Sequence, residues 1–150
     1  MNDRTAPQQR SGGEAVVPSA SVALLARSDA ELVAAQFAPE SWERFVHAHL
    51  AALRAAAAVV AAHGRPTGRR APRNVWDMIS AVAPELSGWA ARFAAGARTR
   101  TAVEAGRFDA VTTEMAESLL CDAEDFVDEV RALLSDGAAR SGTVLALKAS

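Results

Sequence analysis

The sequence predicts an all-α protein, folded as a single up-and-down bundle of four main helices plus one short helix. About a quarter of the 150 residues are alanine, the best helix former because it loses no side-chain entropy. Larger apolar residues recur at intervals of three and four, which is the helix period. β-branched residues are too scattered to indicate a sheet. Together these observations favour helices packed around one core.

The chain length suits one domain with tails. Residues 1–19 mix proline, glutamine, glycine and serine with few large apolar groups, so we expect a disordered N-terminal tail. Residues 20–136 form the predicted bundle, and residues 137–150 a flexible C-terminal tail.

The first helix is predicted from about Val22 to Phe37, with Ser19 or Ser21 as its N-cap and a candidate break at Ser28–Asp29. The second helix is predicted to have Pro39 in its first turn and to end at Gly64. Its expected buried stripe consists of Trp42, Val46, His49 or Leu50, Leu53, Ala57 and Val60. The opposite stripe consists of Arg44, His47, Ala51 and Arg54.

Two further helices follow a polar loop. Asn74 is the expected N-cap of the short helix, with Asp77 three residues on as its capping-box partner. Pro84 opens the next helix, which runs to about Ala105 and ends at Gly106.

The last helix is predicted over Thr113–Ser135, with Thr112 as N-cap and Asp136-Gly137 as its end. Its buried stripe consists of Met115, Leu119, Ala123, Phe126, Val130 and Leu133. Its other side is acidic and includes Glu114, Glu117, Glu124, Asp125, Asp128 and Glu129.

Composition excludes several classes of protein. The net charge of −2 provides no bulk attraction to nucleic acid or membrane, so any such binding requires a local patch. A single cysteine, Cys121, permits neither an intrachain disulfide nor a cysteine zinc site, and favours a reducing, cytoplasmic setting. No secretory signal and no apolar run of membrane-spanning length is found. No Glu-x-x-His motif occurs, so we expect no metal site in the bundle. We also expect no cofactor, and no small-molecule substrate is indicated.

Arg44, His47 and His49 are the candidate catalytic residues. An arginine followed by a histidine within a few residues supplies the two groups that RNA cleavage requires, a proton-transfer group and a cation for the charged transition state. The competing interpretation is structural, because positions five apart on a helix diverge by about 140°.

The segment GRPTGRRAPR, residues 64–73, predicts a basic loop. Its arginines are candidate nucleic-acid ligands because guanidinium groups match phosphate oxygens bidentately. No aromatic residue is interleaved to stack on bases. The loop is otherwise a solvated connector, or it contacts the acidic side of the last helix in the same chain or in a partner. The candidates are Arg65, Arg69, Arg70 and Arg73.

Two segments carry a resemblance to a known family. They are RFVHAHLAALRAAAAVVAAHGRP, which starts at Arg44, and RFDAVTTEMAESLLCDAEDFVDEVRALL, which starts at Arg107. Both resemble HEPN domains, and over about residues 20–135 the chain is similar to the SAV-6107-like HEPN family of actinobacteria.

The resemblance implies a helical bundle, often dimeric, in a superfamily associated with RNA processing, toxin–antitoxin pairs and nucleotidyltransferase partners. In catalytic HEPN proteins an arginine and a histidine four to six residues further on lie near the start of the last helix. This sequence reads RFDAVTT there and has no histidine from Arg65 onward, so the catalytic role does not carry over.

The sequence therefore favours a non-catalytic HEPN-like binding domain that acts as a homodimer with a protein or RNA partner. One alternative is a metal-independent HEPN ribonuclease that uses Arg44 with His47 or His49. Another is a pure scaffold or interaction protein.

Overall fold

The alanine-rich segments form helices in a computed structural model that describes residues 17–149, with side chains described for residues 17–140. Those residues contain no strand, which confirms the all-α prediction. Two short 3-10 turns, at Pro84–Leu86 and Phe108–Ala110, precede the last two helices. The helices are α1 (Ser19–Phe37), α2 (Ser41–His63), α3 (Val75–Val82), α4 (Ser87–Glu104) and α5 (Thr113–Ala149).

Hydrogen bonds fix the relative direction of α1 and α2. The Ser21 hydroxyl donates to the Ala58 carbonyl at 2.8 Å, and the Ser28 hydroxyl donates to the Ala51 carbonyl at 2.7 Å. The two serines are seven residues apart on α1, and their acceptors are seven residues apart on α2 in the opposite order. The two helices are therefore antiparallel. Small side chains at this spacing let the helix backbones approach closely.

The other helices continue the up-and-down order. Asp29 and Gln36 on α1 pair with Arg131 and Glu124 on α5, so these two helices are also antiparallel. Trp89 and Arg92 on α4 contact Glu129 and Asp122 on α5 in the same opposed sense. It follows that α2 and α5 run parallel.

Helix α2 is the centre of the bundle and is buried on more than one face. Its fully buried positions include Ala51, which the sequence placed on the solvated stripe, while Leu50, Leu53 and Ala57 are only half-buried. The predicted single stripe is therefore wrong, because α1 packs against one side of α2 and α3, α4 and α5 pack against others. Although the sequence has no uninterrupted apolar run of membrane-spanning length, α2 is long enough and on average apolar enough to cross a membrane, but 56% of its most apolar window is buried inside the bundle.

Aromatic side chains fill the space between α3, α4 and α5. The Phe93 ring centroid lies 5.1 Å from that of Phe126 and 5.3 Å from that of Trp76. Both phenylalanines are fully buried. Met115, predicted in the same stripe as Phe126, is exposed instead.

Most of the predicted helix ends are confirmed. The Asp77 amide donates to the Asn74 side chain at 2.9 Å, and the Met115 amide donates to the Thr112 hydroxyl at 3.1 Å. Gly64 and Gly106 follow α2 and α4 with φ angles of 88° and 94°, a region that favours glycine.

Three predicted boundary features on α1 and α5 are wrong. Neither Ser19 nor Ser21 caps α1, whose N-cap is Pro18, and the helix continues through Ser28–Asp29 because Ser28 is buried against α2. Helix α5 continues past Gly137 to Ala149. Alanines and an arginine follow this glycine, and their helix propensity offsets its cost of about 1 kcal/mol. The division into a bundle and two tails stays a prediction, and residues 1–16 lie outside the described residues.

Candidate functional site

Arg44 lies at the junction between α1 and α2. Its Nε and Nη2 groups donate to the carbonyls of Ala35 and Ala38, each at 3.2 Å. The Ala35 carbonyl, which also accepts from the Ala38 amide, lies in the last turn of α1, and Ala38 is the C-cap. The helix dipole favours a cation at this end. The half-buried guanidinium therefore stabilises the end of α1 and the turn that follows it.

The His47 ring faces α1, where its Nδ1 lies 2.7 Å from a carboxylate oxygen of Glu31. This pair is partly exposed, and it links the middle of α1 to the first half of α2. Neither group forms a hydrogen bond or ion pair with Arg44, whose partners are backbone carbonyls.

His49 is completely buried between α2 and α4. Its Nε2 donates to the Phe93 carbonyl at 2.9 Å, which leaves Nδ1 as an acceptor with no hydrogen-bond partner among residues 17–140. Burial lowers the pKa of His49, and the nearby Arg100 charge lowers it further, although the bond to the Phe93 carbonyl acts in the opposite direction. The ring is therefore neutral and closed to solvent.

The three candidate catalytic residues do not converge. Arg44 faces the end of α1, His47 faces the middle of α1, and His49 faces α4. The third histidine, His63, contacts its own helix at the Val59 carbonyl. Each side chain has a structural partner, as expected from the divergence of positions along one helix.

The arginines of the loop after α2 are arranged differently. Arg65, Arg69, Arg70 and Arg73 are all exposed, and none forms an ion pair within the described part of the chain. Gly68, with φ at 108°, turns the backbone in the middle of the loop. Four cations are thus held close together on one short segment, free to contact an anion.

A groove opens beside this loop, on the surface of α2 that α1 and α3 leave uncovered. We call it the α2 groove, and its volume is about 680 Å³. Three arginines border it: Arg54, Arg65 and Arg73. Its apolar lining consists of Leu24, Leu53, Ala57, Val60, Ala61, Val75 and Met78.

The sequence did not place Arg54 at this site, because it reads as an ordinary solvated position on the outer stripe of α2. Leu53 and Ala57 were predicted in the core stripe and instead line the groove. The groove arises from the contact of α1 and α3 with one helix, which local periodicity does not report. The one available signal was the spacing of eleven residues between Arg54 and Arg65, which corresponds to about three helical turns and so places both on one face.

Two residues from the acidic side of α5 form hydrogen bonds within the bundle: Glu124 accepts from Gln36, and Glu129 accepts from Trp89. Asp122, on the same helix, accepts from Arg92. One alternative for the basic loop was contact with this acidic side, and no ion pair joins the two among residues 17–140. Those residues also hold no group of three or more side chains suited to a metal ion.

One family model matches the chain, that of SAV-6107-like HEPN, over residues 35–131. The matched region runs from the end of α1 through the first half of α5 and contains both the basic loop and the α2 floor of the groove. No curated protein and no solved structure gives a significant match.

Proposed function

Because the chain belongs to the SAV-6107-like HEPN family, we propose that it is a non-catalytic binding domain that holds RNA by its backbone phosphates. The observation that carries the proposal is the loop after α2, whose four arginines are exposed and have no ion-pair partner within residues 17–140. A cluster of unpaired guanidinium groups is the arrangement that bidentate phosphate contacts require.

The loop favours binding without base recognition. No aromatic side chain is interleaved between its arginines, so bases have no surface on which to stack. Contacts to phosphates position a nucleic acid without reading its sequence. Binding by this surface should therefore be weakly sequence-dependent and strongly weakened by salt, since each phosphate contact releases a bound counterion.

The placement of the candidate catalytic residues supports a non-catalytic role. Phosphodiester cleavage needs a proton-transfer group within hydrogen-bond reach of the substrate. His49 is fully buried, Arg44 is bound to the end of α1, and His47 is paired with Glu31. The ribonuclease alternative would require Arg44, together with either His47 or His49, to leave the partners that the fold supplies.

We further propose that the domain acts as a homodimer in a reducing compartment, the cytoplasm, where the exposed Cys121 stays a thiol. Phe37, at the end of α1, is 81% exposed, and Val33 one turn earlier is 52% exposed. An apolar patch of this kind is typical of an interaction surface. Light scattering should show a dimer that Phe37→Ser converts to a monomer, whereas Val22→Ser, at the other end of α1, leaves it intact.

RNA binding is tested with a fluorescent RNA hairpin and the double variant Arg69→Ala/Arg70→Ala. We expect the variant to bind at least about tenfold more weakly and to show a shallower salt dependence. The matched control is Arg27→Ala/Arg98→Ala, which removes the same charge from exposed positions on α1 and α4. Equal loss in both double variants, or no loss in either, would refute a role for the loop.

The same RNA tests catalysis. Purified protein should leave the hairpin intact in the absence of metal ions. If cleavage is observed and Arg44→Ala/His47→Ala abolishes it, the ribonuclease alternative is correct and the proposal is wrong. Failure to bind RNA at all would favour the third possibility, a pure scaffold.

A further inference from the structure

We propose that the α2 groove binds an amphipathic helix of a partner protein, with an aliphatic stripe flanked by carboxylates at both ends. The groove shares Arg65 and Arg73 with the proposed phosphate-binding loop, whereas Arg69 and Arg70 do not line it and Arg54 lies outside the loop. Helix binding goes beyond RNA binding, and variants of Arg54 and of Arg69 with Arg70 test the two roles separately.

The floor of the groove has the shape that a helix requires. One face of α2 forms the floor, with Leu53, Ala57, Val60 and Ala61 at helical spacing. The small side chains of the two alanines leave room above the backbone for an incoming helix. Leu24 on α1 and Met78 on α3 form the two walls. A helix lying in such a groove contacts it through residues at i, i+3 or i+4, and i+7.

The lining is aliphatic, which determines the apolar part of the occupant. None of the residues around the groove is aromatic, so the site offers no surface for stacking a nucleotide base. Leucine, isoleucine and valine side chains gain about 25 cal/mol for each Å² of apolar area removed from water here. The volume of about 680 Å³ falls within the range of about 300–1,000 Å³ found for ligand sites.

The charges around the groove determine which polar groups the bound helix must carry. Arg54 lies near one end of the floor, and Arg65 and Arg73 lie at the other, beside Gly64. Ten residues of helix separate Arg54 from Gly64, which corresponds to about 15 Å. A lipid with one anionic headgroup cannot contact both ends while its chain fills the floor, whereas a helix carries carboxylates on either side of an apolar stripe.

None of the three arginines has an ion-pair partner within residues 17–140. Carboxylates on an incoming helix would therefore gain new ion pairs without breaking existing ones. These pairs would orient the helix and fix its register in the groove.

The experiment selects binders of the full-length protein from a displayed library of helical peptides about 18 residues long, or five turns. We expect enrichment of peptides with aliphatic residues at i, i+4 and i+7 and acidic residues at both flanks. Fluorescence anisotropy then gives the affinity of the most enriched peptide for the wild-type protein and for two pairs of variants.

Ala57→Trp fills the floor of the groove, and its control, Ala94→Trp, adds the same side chain at an exposed position on α4. Arg54→Glu reverses a charge at the groove, and its control, Arg98→Glu, does so on α4. We expect each groove variant to weaken peptide binding by at least about tenfold and each control to leave it unchanged. Arg54 is half-buried and forms no ion pair among residues 17–140, so Arg54→Glu is the milder change and remains informative if Ala57→Trp does not fold.

Peptides without an acidic, apolar pattern would overturn the proposal, as would undiminished binding by Arg54→Glu. A third result would also overturn it: no peptide is enriched, and Arg54→Glu weakens RNA binding as much as Arg69→Ala/Arg70→Ala does. The groove would then be part of the RNA surface. Conversely, loss of RNA binding in Arg69→Ala/Arg70→Ala with intact peptide binding would support both proposals.

Discussion

Replacing Gly96 with alanine tests how tightly α4 packs against the buried histidine. A Cβ atom at this position would lie 3.1 Å from His49 Cδ2, 3.6 Å from its Nε2 and 3.7 Å from Phe45 Cζ. The first distance is shorter than ordinary van der Waals contact. The ring has little freedom to move away, because its Nε2 is bonded to the Phe93 carbonyl at 2.9 Å and the side chain is fully buried.

Two opposing free energies determine the effect on stability. Alanine is favoured over glycine in a helix interior by about 1 kcal/mol, whereas overpacking a buried site costs about 1–3 kcal/mol. Gly96→Ala should therefore leave the free energy of unfolding unchanged or lower it by up to about 2 kcal/mol. The matched control is Gly137→Ala inside α5, where a Cβ would meet nothing within 4 Å. Gly137→Ala should raise the free energy of unfolding by about 1 kcal/mol.

Urea unfolding followed by circular dichroism measures both variants. The two should differ by about 1–3 kcal/mol, or several degrees in Tm for a chain of this size. The cause is checked in a His49→Ala background, where Gly96→Ala should become stabilising by about 1 kcal/mol because the contact is gone. Equal stabilisation by both glycine replacements in the wild-type background would refute the packing argument.

Three further predictions concern stability. The pKa of His49 is lowered in the folded state, so as pH falls below about 6.5 only the unfolded chain takes up a proton at this residue. The free energy of unfolding should then decrease by at most about 1.4 kcal/mol per pH unit until the folded pKa is reached. Urea midpoints measured across this pH range should depend less on pH in His49→Gln. Ser28→Ala should cost no more than about 1.5 kcal/mol, whereas Ser28→Leu should cost more, since Ala51 lies directly opposite; thermal unfolding distinguishes the two. Thr112→Ala should cost about 1 kcal/mol and Thr112→Ser much less, because only the hydroxyl caps α5.

The features predicted correctly from the sequence are those that depend on a few neighbouring residues. Asn74 caps α3 through a hydrogen bond to Asp77, three positions away, and Thr112 caps α5 in the same way. Gly106 ends α4 because the chain adopts a positive φ there. Such contacts form within one turn of helix, so sequence alone reports them.

The features that the sequence did not predict depend on which helices meet. Ala51 was assigned to a solvated stripe and is fully buried, because α1 covers that side of α2. Alanine gives a weak hydrophobic signal, so a helix buried on several sides shows no single clear stripe. Ser28 was read as a candidate helix break for the same reason: its partner, the Ala51 carbonyl, lies on another helix.

The candidate site shows the same division. The basic loop could be predicted, because four arginines among prolines and glycines indicate an exposed segment regardless of how the helices pack. The α2 groove could not, since Arg54, Leu24 and Met78 come from three different helices. His49 was ambiguous for a related reason. Only the position of α4 decides whether a histidine on α2 faces water or the Phe93 carbonyl.

The close contact between α1 and α2 also explains why the groove is apolar. Ser21 and Ser28 bond directly to α2 carbonyls, so little depth remains between the helices for larger side chains. Leu24 and Leu53 are therefore displaced to the edge of this contact, where they stay half-buried and line the groove. Ser28→Leu should force the helices apart and weaken binding of the selected peptide, whereas Ser28→Ala, which keeps the spacing, should not. Equal peptide affinities in the two folded variants would show that the groove does not depend on this contact.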